Sequence, residues 1–214
     1  MKSRIVAVAL AAQLGMLGLS AQAADAPLAG DAAAGATKAA TCGACHGATG
    51  NSPNPEWPNL AGQHHEYIVE QLALFKSGAR VAPVMQPMAA TLSPQDMADL
   101  AAYFEKQTLT GLEADPALVE AGQKLYRGGD AARGIPACLA CHGPNGRGNG
   151  PARWPQVRAQ QPTYVMAQLK GYAAKTRYAA GAATPPGADM MSDVAKRLSE
   201  DDIKALTAYL QGLR

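Results

Sequence analysis

The sequence is poor in large aromatic side chains, with two Phe and two Trp among 214 residues. A small domain buries a limited share of its surface, and without bulky apolar side chains its core supplies little stabilisation. The composition therefore predicts that a bound apolar group completes the core. It also predicts that the chain is largely unfolded without that group.

Long apolar runs are also scarce. The single candidate, Ile5–Leu19, is shorter than the ~20 residues that a membrane-spanning helix needs, and it contains Gly15 and Gly18. Lys2 and Arg4 precede this run, and the small-residue sequence Ala21-Gln22-Ala23 follows it. This order is typical of a secretory signal peptide, here residues 1–23, which is cleaved on export. The alternative is a retained membrane anchor. We predict a soluble, periplasmic mature chain.

Cysteine is limited to four residues, and all four lie in two copies of one motif: Cys42-Gly43-Ala44-Cys45-His46 and Cys138-Leu139-Ala140-Cys141-His142. C-x-x-C-H is the attachment signature of haem c. Two thiols three residues apart lie on one helical turn and can each add to a porphyrin vinyl group, and the next residue, His, becomes the proximal iron ligand. Zinc sites usually place their His further along the chain, and a thioredoxin-like redox pair requires a βαβ pattern that the sequence does not show. We therefore predict two covalently bound haem c groups.

The two halves of the chain form an internal repeat around these motifs. Trp57-Pro58, Tyr67, Gln71-Leu72 and Arg80 return 97 positions later as Trp154-Pro155, Tyr164, Gln168-Leu169 and Arg177. Leu92-Ser93 returns 106 positions later as Leu198-Ser199, and the additional residues fall in the Gly- and Pro-rich stretch Tyr178–Met190, which we predict to be a loop. We predict two domains, 24–112 and 113–214.

Helical patterns dominate both halves, and no strand pattern of any length appears. Capping sequences begin the last helix of each half, Ser93-x-x-Asp96 and Ser199-x-x-Asp202, and Asp115-Pro116 is typical of a helix start. A further helix is predicted near Glu66–Ser77, ending at Gly78. Gly35 and Gly122 lie in the first helix of each half, where a glycine permits close helix approach or is simply tolerated. The predicted fold is all-α.

The second axial ligand of each iron is predicted from the repeat. A Met thioether in this position closes the iron and raises its reduction potential. The candidates are Met85, Met88, Met190 and Met191. Met85 precedes Ser93 by eight residues, and Met191 precedes Ser199 by eight. We therefore predict the ligand pairs His46/Met85 and His142/Met191.

Other residues near the motifs have more ordinary interpretations. A first haem held by two histidines would need His64 or His65, but surface or capping roles at the start of the middle helix are favoured. Pro58 and Pro155 follow the proximal histidines by 12 and 13 residues, and a backbone carbonyl there can accept the imidazole Nδ1–H.

Charge is distributed unevenly along the chain. Residues 24–112 contain four Lys/Arg and eight Asp/Glu, a net charge of −4, whereas residues 113–214 contain thirteen and nine, a net charge of +4. Such a dipole orients a diffusing partner and makes association salt-dependent. Arg147, Arg153 and Arg158 follow the second haem motif, so we predict that the second haem has the higher potential.

The chain resembles the dihaem cytochrome c4 family over its whole mature length. The resemblance rests on Cys42–Gly47 with Gly50-Asn51-Ser52-Pro53, on Pro58–Gln63, on Cys138–Gly143 with Pro144-Asn145-Gly146, and on Tyr209–Leu213. It implies two tandem class I cytochrome c domains, each wrapped around one haem with His/Met ligation. The second half departs from the pattern at Arg158-Ala159-Gln160.

The resemblance also implies a function. Members of this family carry electrons between a quinol–cytochrome c reductase and a haem–copper terminal oxidase, without a catalytic reaction of their own. The alternative is the electron-accepting subunit of a periplasmic dehydrogenase of the flavocytochrome type. A haem enzyme such as a peroxidase is a third interpretation, which requires one open iron. Nucleic-acid binding is disfavoured by the export signal and the haem motifs.

Overall fold

The computed structural model describes residues 28–214, so the predicted signal peptide lies outside the described residues. These residues form ten helices in two successive groups of five. The first group is α1 (Ala32–Lys38), α2 (Ala40–His46), α3 (His65–Lys76), α4 (Met85–Ala90) and α5 (Pro94–Glu105). The second group is α6 (Pro116–Gly128), α7 (Leu139–His142), α8 (Pro162–Ala173), α9 (Ala188–Ala195) and α10 (Glu200–Gly212).

The first and last helices of each group cross closely. Helix α1 packs on α5, and α6 packs on α10. An added Cβ at Gly35 would lie 2.0 Å from the Asp99 carbonyl oxygen, and one at Gly122 would lie 2.1 Å from that of Ala205. These separations are far below van der Waals contact, so a side chain larger than hydrogen does not fit at either crossing. Of the two interpretations of these glycines, the structure supports close helix approach.

Local sequence signals set the helix ends as predicted. Ser93 and Ser199 each form a capping box with the residue three positions later, so both orphan backbone donors find acceptors. The side chain of Asp115 accepts a hydrogen bond from Ala117 N at the start of α6. Helix α3 ends before Gly78, whose φ of +77° suits glycine.

The predicted all-α fold is confirmed. Among residues 28–214 there is no strand, and only isolated bridges such as Arg80–Tyr178 occur. The prediction of a loop over Tyr178–Met190 is wrong for its last three residues. Gly187 adopts a φ of +89° and ends the loop, so that α9 begins at Ala188.

Each group of five helices has its own hydrophobic core. In the first group, Phe104, Leu100 and Ile68 are buried between α3 and α5. In the second, Tyr126, Leu206 and Leu210 are buried between α6, α8 and α10. Cys42 packs against the first core and Cys138 against the second, so each haem-attachment motif borders its domain core. Within the described part of the chain, no helix has the length and apolarity needed to cross a membrane.

Candidate haem sites and the domain interface

Each cysteine motif lies on a short helix that ends at its histidine. Cys42 and Cys45 lie within α2, and His46 is its last residue. Cys138 is the N-cap of α7, and His142 ends that helix. In both copies the next residue is a glycine with a φ of +77°. The chain therefore turns away directly after each histidine.

The surroundings of the four cysteine thiols suit covalent attachment of a porphyrin. All four are partly buried, and no disulfide joins them. Burial raises the pKa of the Cys42 thiol, and it raises the pKa of Cys138 to about 11. The thiols of Cys42 and Cys138 are therefore protonated at neutral pH, whereas reactive cysteines of redox motifs have a lowered pKa.

Both proximal histidines are held by a proline carbonyl. His46 Nδ1 lies 2.8 Å from Pro58 O, and His142 Nδ1 lies 3.0 Å from Pro155 O. The prediction of a backbone acceptor at these prolines is confirmed. Burial lowers the pKa of both imidazoles, which favours the neutral form, with Nδ1–H donating to the carbonyl. The Nε2 lone pair of each ring is then free to bind iron.

The methionines differ in their exposure. Met85 and Met191 are partly buried, whereas Met88 is 48% exposed and Met190 is 52% exposed. Met85 begins α4, and Met191 lies inside α9. The exposures distinguish the same two methionines that the repeat selects.

The other two histidines lie at the start of α3. His64 Nε2 contacts the backbone oxygen of Arg147 in the second domain at 2.6 Å, and the backbone N–H of His65 donates to Glu105 Oε1. His64 thus joins the two domains. Although His64 is the N-cap residue of α3, its side chain makes no capping hydrogen bond, and its contact with the second domain was not predicted.

The interface between the domains is polar and has approximate two-fold symmetry. Asn59 N donates to Gln160 Oε1 at 2.7 Å, and Gln160 Nε2 donates to Asn59 O at 3.0 Å. In the repeat, Gln156 corresponds to Asn59 and Gln160 to Gln63. The same two hydrogen bonds form in the opposite direction between the domains: Gln156 N donates to Gln63 Oε1 and Gln63 Nε2 donates to Gln156 O, both at 2.9 Å. All four residues are buried. The domains are therefore joined by hydrogen bonds that satisfy buried backbone groups.

The repeated tyrosines, glutamines and arginines also meet at this interface. Arg80 Nη2 donates to Tyr164 OH at 3.0 Å, and Arg177 Nη2 donates to Tyr67 OH at 3.2 Å, so the two domains exchange the same contact. These residues are equivalent in the sequence repeat, but the repeat does not place them at an interface. Their common shift of 97 positions was the available signal.

The arginines that follow the second motif have different partners. Arg153 Nη1 forms an ion pair with Glu70 Oε1 of the first domain at 3.0 Å, so its charge is balanced. Arg158 Nε donates to the neutral Gln156 Oε1. Burial, and secondarily Arg147, lowers the pKa of Arg158. Among the described residues, no acidic side chain forms a salt bridge with Arg147 or Arg158.

The residues present fit a covalently bound haem at both motifs. Two thiols and a histidine on one short helix, a neutral imidazole oriented by a carbonyl, and an adjoining apolar core provide attachment, ligation and packing for a porphyrin. When bound, the haem supplies one-electron redox chemistry, and the chain supplies its position and electrostatic environment.

Comparisons with known proteins agree with this geometry. The cytochrome c family model matches twice, at residues 32–108 and 119–214. Cytochrome c4 of Azotobacter vinelandii is 47% identical over 96% of this chain and 97% of its own length. The crystal structure of reduced recombinant cytochrome c4 from Pseudomonas stutzeri superposes with a TM-score of 0.81 at 44% identity, covering 87% of this chain and 100% of that one. A thiosulfate dehydrogenase electron acceptor of Thiomonas intermedia is 36% identical over 83% of this chain and 81% of its own length.

The comparisons confirm the tandem cytochrome c fold and the two haem groups. The relatives named cytochrome c4 span nearly the whole chain, and both C-x-x-C-H motifs lie within the matched ranges. The chain therefore belongs to the cytochrome c4 family of dihaem electron carriers, with one haem c attached through Cys42 and Cys45 and the other through Cys138 and Cys141.

Proposed function

We propose that each iron is held between a histidine and a methionine, His46 with Met85 and His142 with Met191. The observation that carries this proposal is the agreement of two independent features: equal spacing of both methionines from the capping serines, and their partial burial beside exposed neighbours. A thioether ligand favours ferrous iron and raises the potential, and a closed iron exchanges electrons without binding substrate.

Replacing each methionine in turn tests the ligand assignment. Native protein should not bind carbon monoxide at neutral pH, whereas Met85→Ala and Met191→Ala should each open one iron and bind one equivalent. The methionine-to-ferric charge-transfer band should lose about half its intensity in each variant. Met88→Ala and Met190→Ala are the matched controls. If a control variant opens an iron, or if the native protein binds carbon monoxide, the assignment is wrong.

We infer that the chain works in the periplasm, carrying electrons from a quinol–cytochrome c reductase to a haem–copper terminal oxidase. The export signal predicted for residues 1–23, the relatives named cytochrome c4 and the charge asymmetry between the domains support this role. The acidic first domain and the basic second domain offer surfaces of opposite sign, so two partners of different charge can dock at different ends. We also propose that the boundary between the two domains lies at residues 112/113.

The electron route can be tested with purified partners. Reduction by the reductase and oxidation by the oxidase should both be fast and should slow as salt is raised, because docking depends on unscreened charge. Failure of the oxidase to accept electrons from reduced protein would contradict the proposed route.

A second role is acceptance of electrons from a periplasmic dehydrogenase. The relative named thiosulfate dehydrogenase electron acceptor favours this alternative, although its 36% identity is below the 47% of the cytochrome c4 relative. Co-purification of a dehydrogenase chain with this protein, and haem reduction that requires that chain's substrate, would support the second role.

A further inference from the structure

The loop that follows the second haem motif has the same backbone hydrogen bond as its counterpart in the first domain. Arg158 N donates to Gly146 O at 3.2 Å, and Ala61 N donates to Gly50 O at 3.0 Å. Each glycine lies four residues after the proximal histidine of its domain, and both have a positive φ, +66° and +75°. The side chains of the two loops can therefore be compared position by position.

At two of these positions the second domain has a cation where the first has a neutral residue. Arg147 corresponds to Asn51, and Arg158 corresponds to Ala61. Arg147 is exposed, Arg158 is partly exposed, and within residues 28–214 no salt bridge includes either arginine. Burial, and secondarily the charge of Arg147, lowers the pKa of Arg158, so the two cations are neighbours. This loop therefore presents two positive charges that the described chain does not neutralise.

The corresponding face of the first domain is occupied by the segment that connects the domains. Asn51 Nδ2 donates to Thr108 O at 2.9 Å, and Thr110 N and Oγ1 donate to Asn51 Oδ1 at 2.8 and 2.9 Å. Among the described residues, no hydrogen bond or ion pair holds the side chain of Arg147, whereas its backbone oxygen contacts His64 Nε2 at 2.6 Å. Position 147 is therefore open to another molecule, and position 51 binds the protein's own chain.

The same loop holds the proximal histidine of the second haem. Gly148 N donates to His142 O at 2.8 Å, and Pro155 O lies 3.0 Å from His142 Nδ1. Arg147 directly precedes Gly148, and Arg158 lies three residues after Pro155. Electron transfer between proteins slows steeply with distance, so this face offers a partner a short path to the proximal ligand of the second haem.

Apolar side chains accompany the two arginines. A Cβ at Gly146 would lie 2.9 Å from Leu213 Cδ2 and 3.1 Å from Arg158 Cβ, so Leu213 and Arg158 border the same turn. Leu213 and Val157 are partly exposed, and Pro144 is exposed. Apolar contacts with polar groups around them are typical of protein docking surfaces, in which arginine is enriched.

We propose that Arg147 and Arg158 bind carboxylates on the surface of an acidic redox protein, which takes electrons from the second haem across this face. The guanidinium fork matches a carboxylate, and two unneutralised cations favour an acidic partner surface over a basic one. The first domain has neutral residues at both positions, so this partner docks on the second domain. The inference rests on the proposed electron-carrying function and adds to it the surface and the charge of the acceptor.

The test uses the fully reduced, full-length holoprotein with Arg147→Gln and Arg158→Gln, and a purified haem–copper terminal oxidase as the acceptor. At low ionic strength, each variant should pass electrons to the oxidase about threefold more slowly than the native protein, and its rate should respond less to added salt. Arg158→Gln is also expected to lower the potential of the second haem, which by itself would speed donation to the oxidase. A slower rate in this variant therefore reports docking and not driving force.

A second measurement needs no partner protein. Hexacyanochromate(III), a paramagnetic trianion, broadens the NMR signals of protons close to its binding site. In the reduced holoprotein, the backbone amide signal of Arg147 should broaden more than that of its counterpart Asn51. The broadening at Arg147 should fall at least about twofold in Arg158→Gln, because the anion then meets one cation in place of two.

Lys204→Gln is the matched control. Lys204 forms an exposed ion pair with Asp201 in α10, so its loss changes the net charge of the second domain by the same amount at a different place. The rate of electron transfer to the oxidase should then change by less than about 1.5-fold. Arg147→Lys and Arg158→Lys retain the charge and lose the planar fork, and each should keep at least about half of the native rate.

Three results would overturn the proposal. The first is an equal slowing in Lys204→Gln and in the arginine-to-glutamine variants, which would show that total charge and not this face steers the acceptor. The second is broadening by hexacyanochromate(III) that is no stronger at Arg147 than at Asn51. The third is loss of binding to phosphatidylglycerol vesicles in the arginine-to-glutamine variants with an unchanged oxidase rate, which would assign the face to a lipid surface. Failure of the native protein to reduce the oxidase contradicts the proposed route instead, and the broadening measurement then decides whether the face binds anionic groups.

Discussion

The crossing of α6 and α10 at Gly122 gives a sharp test of how the second domain is packed. A Cβ at this position would lie 2.1 Å from Ala205 O and 2.6 Å from Tyr209 Cβ. The nearest obstacle is backbone, so the clash is relieved only by moving one helix away from the other. We therefore expect Gly122→Ala to destabilise the second domain.

Two opposing effects set the magnitude. Alanine is favoured over glycine inside a helix by roughly 0.5–1 kcal/mol. Overpacking a tight contact costs roughly 1–3 kcal/mol, and a Cβ this close to a carbonyl oxygen places the cost at the upper end. The expected net loss in unfolding free energy is about 2 kcal/mol. Guanidinium denaturation of the holoprotein, followed by far-UV circular dichroism, measures it.

Gly128→Ala is the matched control on the same helix. A Cβ at Gly128 has no atom within 4 Å, so only the helix preference remains, and stability should stay unchanged or rise by up to about 1 kcal/mol. If Gly122→Ala proves as stable as Gly128→Ala, the two helices separate freely and the close crossing does not define the fold of this domain.

Three further predictions concern acidity, capping and the haem potentials. The hydrogen bond from Lys38 holds the pKa of Asp99 at about 2, below its ordinary value of 3.8. The stabilisation from the ionised Asp99 should therefore be complete above pH 3.8 and be lost as the pH falls through about 2. Between these two pH values, the unfolding free energy measured in urea should depend less on pH in Asp99→Asn than in the native protein. Ser199→Ala removes a capping box and should lower the unfolding free energy by about 1 kcal/mol, and Ser199→Thr should restore most of it in thermal denaturation. Arg158→Gln should lower the potential of the second haem more than that of the first in a spectroelectrochemical titration, and an equal effect on both haems would contradict the idea that this cation tunes the second site.

Contiguous residues made the haem sites predictable. Two thiols and a histidine within five positions define the attachment chemistry before any tertiary contact forms, because a single helical turn brings them together. The capping serines and the glycines at the helix crossings were predictable for the same reason, since their effects are local or depend on the absence of a side chain. The predicted acceptors at Pro58 and Pro155 needed only 12 or 13 residues of loop.

The loop before α9 shows where local signals fail. Pro185, Pro186 and Gly187 correctly indicate irregular backbone, but the sequence does not specify at which residue the helix resumes. Ala159 adopts a φ of +43°, which a non-glycine residue rarely does, and it occupies the position equivalent to Gly62, with a φ of +67°. The backbone conformation is therefore kept where the residue type has changed.

The sequence by itself determined the two haem-attachment motifs and the capped starts of α5, α6 and α10, because each depends on residues a few positions apart, and it displayed the helical repeat directly. Only the tertiary structure decided the domain interface. Its hydrogen bonds join residues 83 to 110 positions apart, such as His64 with Arg147 and Arg177 with Tyr67. The repeat marks Arg80 and Arg177 as equivalent, but equivalence does not specify contact. The burial of Arg80 and Arg177 became visible only when the two domains were seen together, because burial is a property of the assembled chain.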